Sequence, residues 1–373
     1  MTALSRRRFV TTAALASVAP ALPAWAAPAP DGTGVDPIFG DDIVRLDYNE
    51  SPYGPDAAAI KAMTSGVRQS GRYDYEQQVR LSQLFASQHD IPHDHVALYC
   101  GSRAALQCAL ASYAGPRSVV TAAPTYDSVA SGAKTLQARV HEVPLTADHA
   151  HDVRGMLAVD RQAGVIYVCN PNNPTGTLTP HADITRLVAD KPPGCLAIID
   201  EAYIHFSDAP TCLALAVERE DVLVLRTFSK IYGMAGARLG VAIGNPALLA
   251  RLEAFNGRNF IPLPTALGAI AALENPLLVT QRKATNAQVL ADTVAALRKA
   301  GFPCTDAQAN CFMVNLGRPV EPLRKALEQR GVRVGRVFEA WPDWLRVTVG
   351  TATQMQRFLS EFFALSPHAS SLV

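Results

Sequence analysis

An α/β fold is predicted for this chain: a large domain with a mostly parallel sheet between helices, followed by a smaller α+β C-terminal domain. Three observations predict it. Short apolar runs alternate with helix-length segments from Val96 to Thr227, each run stops at polar or Gly-rich residues, and the texture turns to longer helix-forming stretches after about Asn245. Such alternation argues for crossover connections and therefore for parallel strands. At 373 residues, 49% of them hydrophobic, the chain is long enough for two ordinary domains.

The strand candidates, in order, are His95 to Tyr99, Ser118 to Thr121, Val165 to Val168, Leu196 to Ile199 and Val222 to Leu225. Their ends carry, respectively, Gly101-Ser102-Arg103, Pro124-Thr125-Tyr126, Asn170, Asp200, and the stretch from Thr227 to Lys230. Ligands of open α/β sheets bind beyond the carboxyl ends of the strands, so polar chemistry at five such ends predicts one site assembled from many loops. Helices are expected over Pro246 to Phe255, Ala287 to Lys299 and Val320 to Arg330, and strands at Cys311 to Asn315 and Leu345 to Val349. The expected division is an N-terminal arm over 27–50, the large domain over 51–245 and the small domain over 246–373.

The first 26 residues are set aside because they have the layout of an export signal. Ser5-Arg6-Arg7-Arg8-Phe9-Val10 is basic, an apolar stretch runs to about Ala21, and Ala24-Trp25-Ala26 offers a small-x-small cleavage site. The Arg pair followed by x-Phe is similar to the twin-arginine signal, and a periplasmic or exported location is the expectation. The formal net charge is +1, and losing Arg6, Arg7 and Arg8 with the leader leaves 31 basic residues against 33 acidic. No Lys/Arg stripe follows, which argues against nucleic acid as a partner and for small-molecule chemistry. Seven cysteines without a C-x-x-C indicate neither a disulfide framework nor a zinc site, and buried free thiols are expected. His149-Ala150-His151 and His93-Asp94-His95 lack a third ligand nearby in sequence, so solvated loops are expected there and no metal. Trp341 and Trp344 are expected to pack the small domain.

The chemistry centres on three segments. Lys230, in Arg226-Thr227-Phe228-Ser229-Lys230, is followed by Gly233, Gly236, Arg238 and Gly240, so small residues would let a flat cofactor approach its amine. Asp200 begins Asp200-Glu201-Ala202-Tyr203 after an apolar run, where a carboxylate can hold a pyridine nitrogen protonated. Asn170-Pro171-Asn172-Asn173-Pro174-Thr175-Gly176 is a rigid turn presenting an Asn amide after a buried strand.

With these motifs in order, the sequence resembles the fold-type I pyridoxal-phosphate aminotransferases of class I and II, most of all the histidinol-phosphate aminotransferase family. The resemblance extends from Leu46-Asp47-Tyr48-Asn49-Glu50-Ser51-Pro52-Tyr53-Gly54-Pro55 to Leu345-Arg346-Val347-Thr348-Val349-Gly350-Thr351. It implies pyridoxal 5'-phosphate as cofactor, an internal Schiff base on Lys230, Asp200 at the pyridinium nitrogen, Asn170 and Tyr203 at the ring hydroxyl and Tyr126 on the ring face. It places the cofactor phosphate at the helix start after Gly101, with Ser102, Arg103, Thr227, Ser229 and Arg238 around it, a setting that favours anions. Tyr73 would reach the phosphate from a partner subunit, implying a homodimer. Arg346, with Tyr53 and Asn170, would hold the substrate, a planar guanidinium being suited to a carboxylate or phosphate. Lys230, Asp200 and Tyr203 would be the catalytic residues, moving an amino group from histidinol phosphate or an amino acid to a 2-oxo acid such as 2-oxoglutarate.

Three departures from the family pattern stand out: Arg103 replaces the usual acidic residue, Ile231 is bulkier than usual, and Gly335 aligns with an arginine expected to hold the phosphate of histidinol phosphate. Arg336 is adjacent, but on an extended backbone its side chain would point elsewhere. Because a scaffold fixes the cofactor and not the bond that breaks, a decarboxylase or carbon–sulfur lyase is the alternative, and a non-catalytic cofactor-binding module a more distant one.

Overall fold

The computed structural model describes residues 43–257 and 259–366, and the expected leader and most of the arm lie outside them. Eleven strands are present among the described residues: β1 (Val44–Leu46), β2 (Val96–Tyr99), β3 (Val119–Ala123), β4 (Val140–Pro144), β5 (Val165–Cys169), β6 (Leu196–Asp200), β7 (Val222–Thr227), β8 (Gly240–Ile243), β9 (Cys311–Asn315), β10 (Val332–Val334) and β11 (Trp344–Thr348). Seven form one sheet in the order β2-β8-β7-β6-β5-β3-β4, in which β8 alone runs antiparallel to its neighbours. The five expected strands are all in it, and β4 and β8 are the additions.

Every residue of β5, β6, β7 and β8 is buried. Helices on both faces of a parallel sheet produce this, so such strands read as continuous apolar runs rather than alternating ones. Register brings the strand ends level: Cys169 pairs with Asp200, Asp200 with Leu225, and Thr227 with Gly240. Beside Glu201 and Arg226 the sheet carries a buried ion pair, Arg226 Nε to Glu201 Oε2 at 2.8 Å. Thr211 bonds both partners and the Cys212 amide donates to Glu201 Oε1 at 2.6 Å. This network locks the residues next to Asp200 and Thr227.

The smaller unit has two ribbons, β1 parallel to β10 and β9 antiparallel to β11, around Phe302, Phe312, Val347, Phe358 and Phe362. Its boundary differs from the change of texture at residue 245. The helices Pro246–Asn256 and Leu263–Leu273 bury Leu248, Leu252, Ala266 and Ile270 in the large-domain core. The division falls within the helix Leu278–Lys299, whose Leu278 joins the large core and whose Val289, Leu290 and Leu297 join the small one. Val44 and Leu46 of the expected arm also join the small core. The reason is packing partners: those two helices seal the helices Ser102–Tyr113 and Ala57–Val67, whatever their texture in sequence. All seven cysteines are free. His151 is buried, bonded to Thr179, and His149 meets the rings of Trp341 and Trp344 edge-on, so neither is a solvated loop residue. Both tryptophans thereby tie the small unit to the loop after β4. Among the described residues no single helix is long and apolar enough to cross a membrane.

Candidate active site

A cavity of about 650 Å³ opens at the carboxyl ends of β3, β5, β6 and β7, within the usual volume for a small-molecule site, roughly 300–1,000 Å³. Lys230 lies three residues beyond β7. Its Nζ donates to the Asn49 carbonyl at 2.9 Å and the Tyr48 carbonyl at 3.2 Å, 5.5 Å from the centre of the Tyr203 ring. Burial, with Arg346 nearby, pushes this amine down to about 8, so near neutrality it exchanges a proton readily.

Asp200, the last residue of β6, is 4% exposed. Burial pushes its carboxyl up to about 6, against hydrogen bonds from Tyr167 Oη to Oδ2 at 2.9 Å and from the Ala202 amide to Oδ1 at 3.1 Å. A carboxylate so held is short of positive charge. Tyr126 and Tyr203 line the same space, each with its phenol pushed upward by burial.

Ser102, Arg103, Thr227, Ser229 and Arg238 line the same cavity. Gly101, at φ +90°, precedes the helix Ser102–Tyr113. A Cβ on Gly101 would stand 2.2 Å from Arg238 Nη2, and one on Gly240 would stand 2.0 Å from the Ser102 amide. Two glycines therefore let a guanidinium, a helix start and two hydroxyls converge, which is a cradle for an anionic phosphate. With Asp200 and Lys230 in the same cavity, the residues fit pyridoxal phosphate.

Some expected site residues lie elsewhere. Asn170 does not line the cavity: its amide exchanges hydrogen bonds with Thr179, Nδ2 to the carbonyl at 3.3 Å and the Thr179 amide to Oδ1 at 2.8 Å. Asn172 bonds Thr125, Pro124 and Thr175. The asparagine of this turn that lines the cavity is Asn173, whose Oδ1 accepts from Arg346 Nη1 at 3.0 Å. The turn reverses direction after β5, so strand alternation no longer tells which amide faces inward. Tyr53 occupies a separate crevice with Phe206, Ile231 and Arg282. Tyr73 is 91% exposed, packed beside Phe260 and away from the cavity of its own chain.

Arg346, on β11, is 8% exposed, donates also to the Asp47 carbonyl, and keeps its Nε buried and unpaired. Gly335 abuts it: a Cβ there would lie within 2.9 Å of the Arg346 Nε, Cβ and carbonyl oxygen. Arg336, contrary to the expectation of an extended backbone, lines the cavity, because β10 ends at Val334. Its Nη2 meets Asp127 Oδ2 at 2.6 Å and its guanidinium lies 4.1 Å over the Phe338 ring. Asn49, Asp47, Arg324 and Phe338 are further lining residues that local motifs did not single out.

The family model for aminotransferase class I and II matches residues 41–362. The chain belongs to this family. Pyridoxal phosphate is its cofactor and transamination its chemistry. Among curated relatives, the chain is 34% identical to the histidinol-phosphate aminotransferase of Symbiobacterium thermophilum, over 85% of this chain and 89% of that one. It is 31% identical to that of Bacillus subtilis, over 86% and 91%. Among solved structures, a chain from Sinorhizobium meliloti histidinol-phosphate aminotransferase in complex with pyridoxal-5'-phosphate superposes with a TM-score of 0.77 at 22% identity, covering 92% of this aminotransferase and 99% of its own length. L-threonine-O-3-phosphate decarboxylase from Porphyromonas gingivalis shares the fold as well, with a TM-score of 0.76 at 20% identity over 87% and 100%.

Proposed function

We propose that this aminotransferase moves an amino group from a donor with an acidic group, histidinol phosphate or an amino acid, to a 2-oxo acid such as 2-oxoglutarate. The observation that carries the reading is Arg346, a buried guanidinium that lines the same cavity as Lys230. Among the described residues no carboxylate forms an ion pair with it, and a substrate carboxylate or phosphate would supply that counter-charge.

When bound, the cofactor supplies an electron sink for the substrate Cα. Lys230 would hold it and, as general base and acid, would take a proton from the substrate Cα and return it. Asp200 would keep the ring nitrogen protonated. Asn173, rather than the expected Asn170, would stand with Tyr203 at the ring hydroxyl, and Tyr126 would cover the ring. Gly101, Ser102, Arg103, Thr227, Ser229 and Arg238 would receive the phosphate.

Histidinol phosphate is supported by the names of the relatives; Arg324 and Arg336 line the cavity but are already paired with Glu321 and Asp127. Gly335 argues against an arginine at that position in this chain, since Arg346 fills the space. Offering the purified enzyme histidinol phosphate and a panel of amino acids, each with 2-oxoglutarate, tests the reading. Stoichiometric glutamate supports it; released CO₂ or sulfide would identify a lyase instead. The exposed Tyr73, Tyr75 and Phe260 support a homodimer, to be checked by sedimentation. Export through the twin-arginine leader is the proposed route, and changing Arg6 and Arg7 to Lys should retain the enzyme in the cytoplasm.

A further inference from the structure

Asn49 sits where the N-terminal segment, the large domain and the small domain meet, 1% exposed and at φ +53°. Its hydrogen bonds form a directed chain. The Asn49 backbone N–H can only donate, and it does so to Thr348 Oγ1 at 2.9 Å. The Thr348 hydroxyl in turn donates to Asn49 Oδ1 at 3.1 Å. The amide is thereby turned with its nitrogen outward, donating to Tyr203 Oη at 3.1 Å and to Cys311 Sγ at 3.1 Å. Tyr203 accepts from Asn49 and has a single proton of its own.

We propose that Asn49 and Thr348 are positioning residues that set the direction of the Tyr203 hydroxyl, so that its proton points into the cavity. The proposal rests on the reading that places Tyr203 at the cofactor ring hydroxyl. The relay begins on β11, in the small domain, and ends beside β6, so the relation of the two domains governs which way a catalytic hydroxyl donates. The ionisable groups around Tyr203 are Cys169, Cys311, Lys230 and Arg346, and all are unchanged in the variants below.

A hydroxyl that donates to the cofactor's ring oxygen favours its deprotonated form and lowers the pH midpoint of the visible absorbance band in the resting holoenzyme. Tyr203→Phe should raise that midpoint by about one unit, the tenfold change of a charge-assisted hydrogen bond. Thr348→Val, which keeps shape but cannot orient the amide, should raise it in the same direction and weaken cofactor binding several-fold, whereas Thr348→Ser should hold both at wild-type values. Asn49→Gly suits the positive φ, removes the amide, and carries the same expectation as Thr348→Val should that variant not fold. A wild-type midpoint in Thr348→Val or Asn49→Gly, with Tyr203→Phe raised, overturns the relay; so do equal shifts in Thr348→Val and Thr348→Ser. An unmoved midpoint in Tyr203→Phe would instead overturn the assignment of Tyr203 itself.

Discussion

Replacing Asp200 by Asn should stabilise the cofactor-free enzyme while destroying its function. Burial raises this carboxyl from 3.8 to about 6, so the folded chain holds the proton more tightly than the unfolded chain. The penalty is absent below the unfolded pKa, grows as pH rises toward 6, and is constant above it. At ~1.36 kcal/mol per unit, it reaches about 3 kcal/mol at pH 8 and about half that at pH 5. Asn keeps an acceptor for the Ala202 amide and carries no charge, so it avoids this cost. About 3 kcal/mol is a ceiling, because an amide offers only one of the two oxygens that accept from Tyr167 and the Ala202 amide. Urea unfolding of the cofactor-free proteins at pH 5 and pH 8 measures the effect, and cofactor titration of the same samples should show weakened binding in the variant. A variant less stable than wild type at pH 8, or an advantage that does not shrink toward pH 5, would refute the reasoning.

Lys230→Ala should abolish both steady-state transfer and the cofactor's visible band, since no other amine lines the cavity among the described residues. In the unmodified enzyme, the rate of cofactor uptake by the cofactor-free protein should climb with pH and level off above about 8, where Lys230 has become a neutral nucleophile; stopped-flow absorbance checks this. Gly101→Ala should cut cofactor affinity by at least about tenfold, because the new Cβ would meet Arg238 at a position that also needs φ +90°; equilibrium dialysis reads it. Breaking the buried pair by Glu201→Ala should lower stability by about 3–5 kcal/mol, measured by denaturant unfolding, because Arg226 is then left buried without its counter-charge.

Much of the scaffold was legible in the sequence because it is local. A strand buried on both faces must be a short apolar run, so β5, β6 and β7 announce themselves, and the residues at their ends follow by counting. Asp200 and Lys230 were placed at the cavity this way, Tyr203 and Arg238 through the resemblance, and all four line it. Where the chain turns, counting fails. Asn170 and Asn173 are three residues apart in one turn, and only the hydrogen bonds to Thr179 and Arg346 separate the pinned amide from the inward one. Arg336 reaches the cavity wall because β10 stops two residues before it.

By itself, then, the sequence determined five of the seven strands of the sheet, the place of Lys230 and Asp200 at the cavity, and through its motifs the family. Tertiary structure alone decided which asparagine faces the site, that Asn49 lies against Tyr203 and Thr348, and that Gly335 is the space Arg346 occupies. These are contacts between residues up to 299 positions apart. Local periodicity encodes which face of an element is apolar, but a contact at that separation exists only once the two domains have packed.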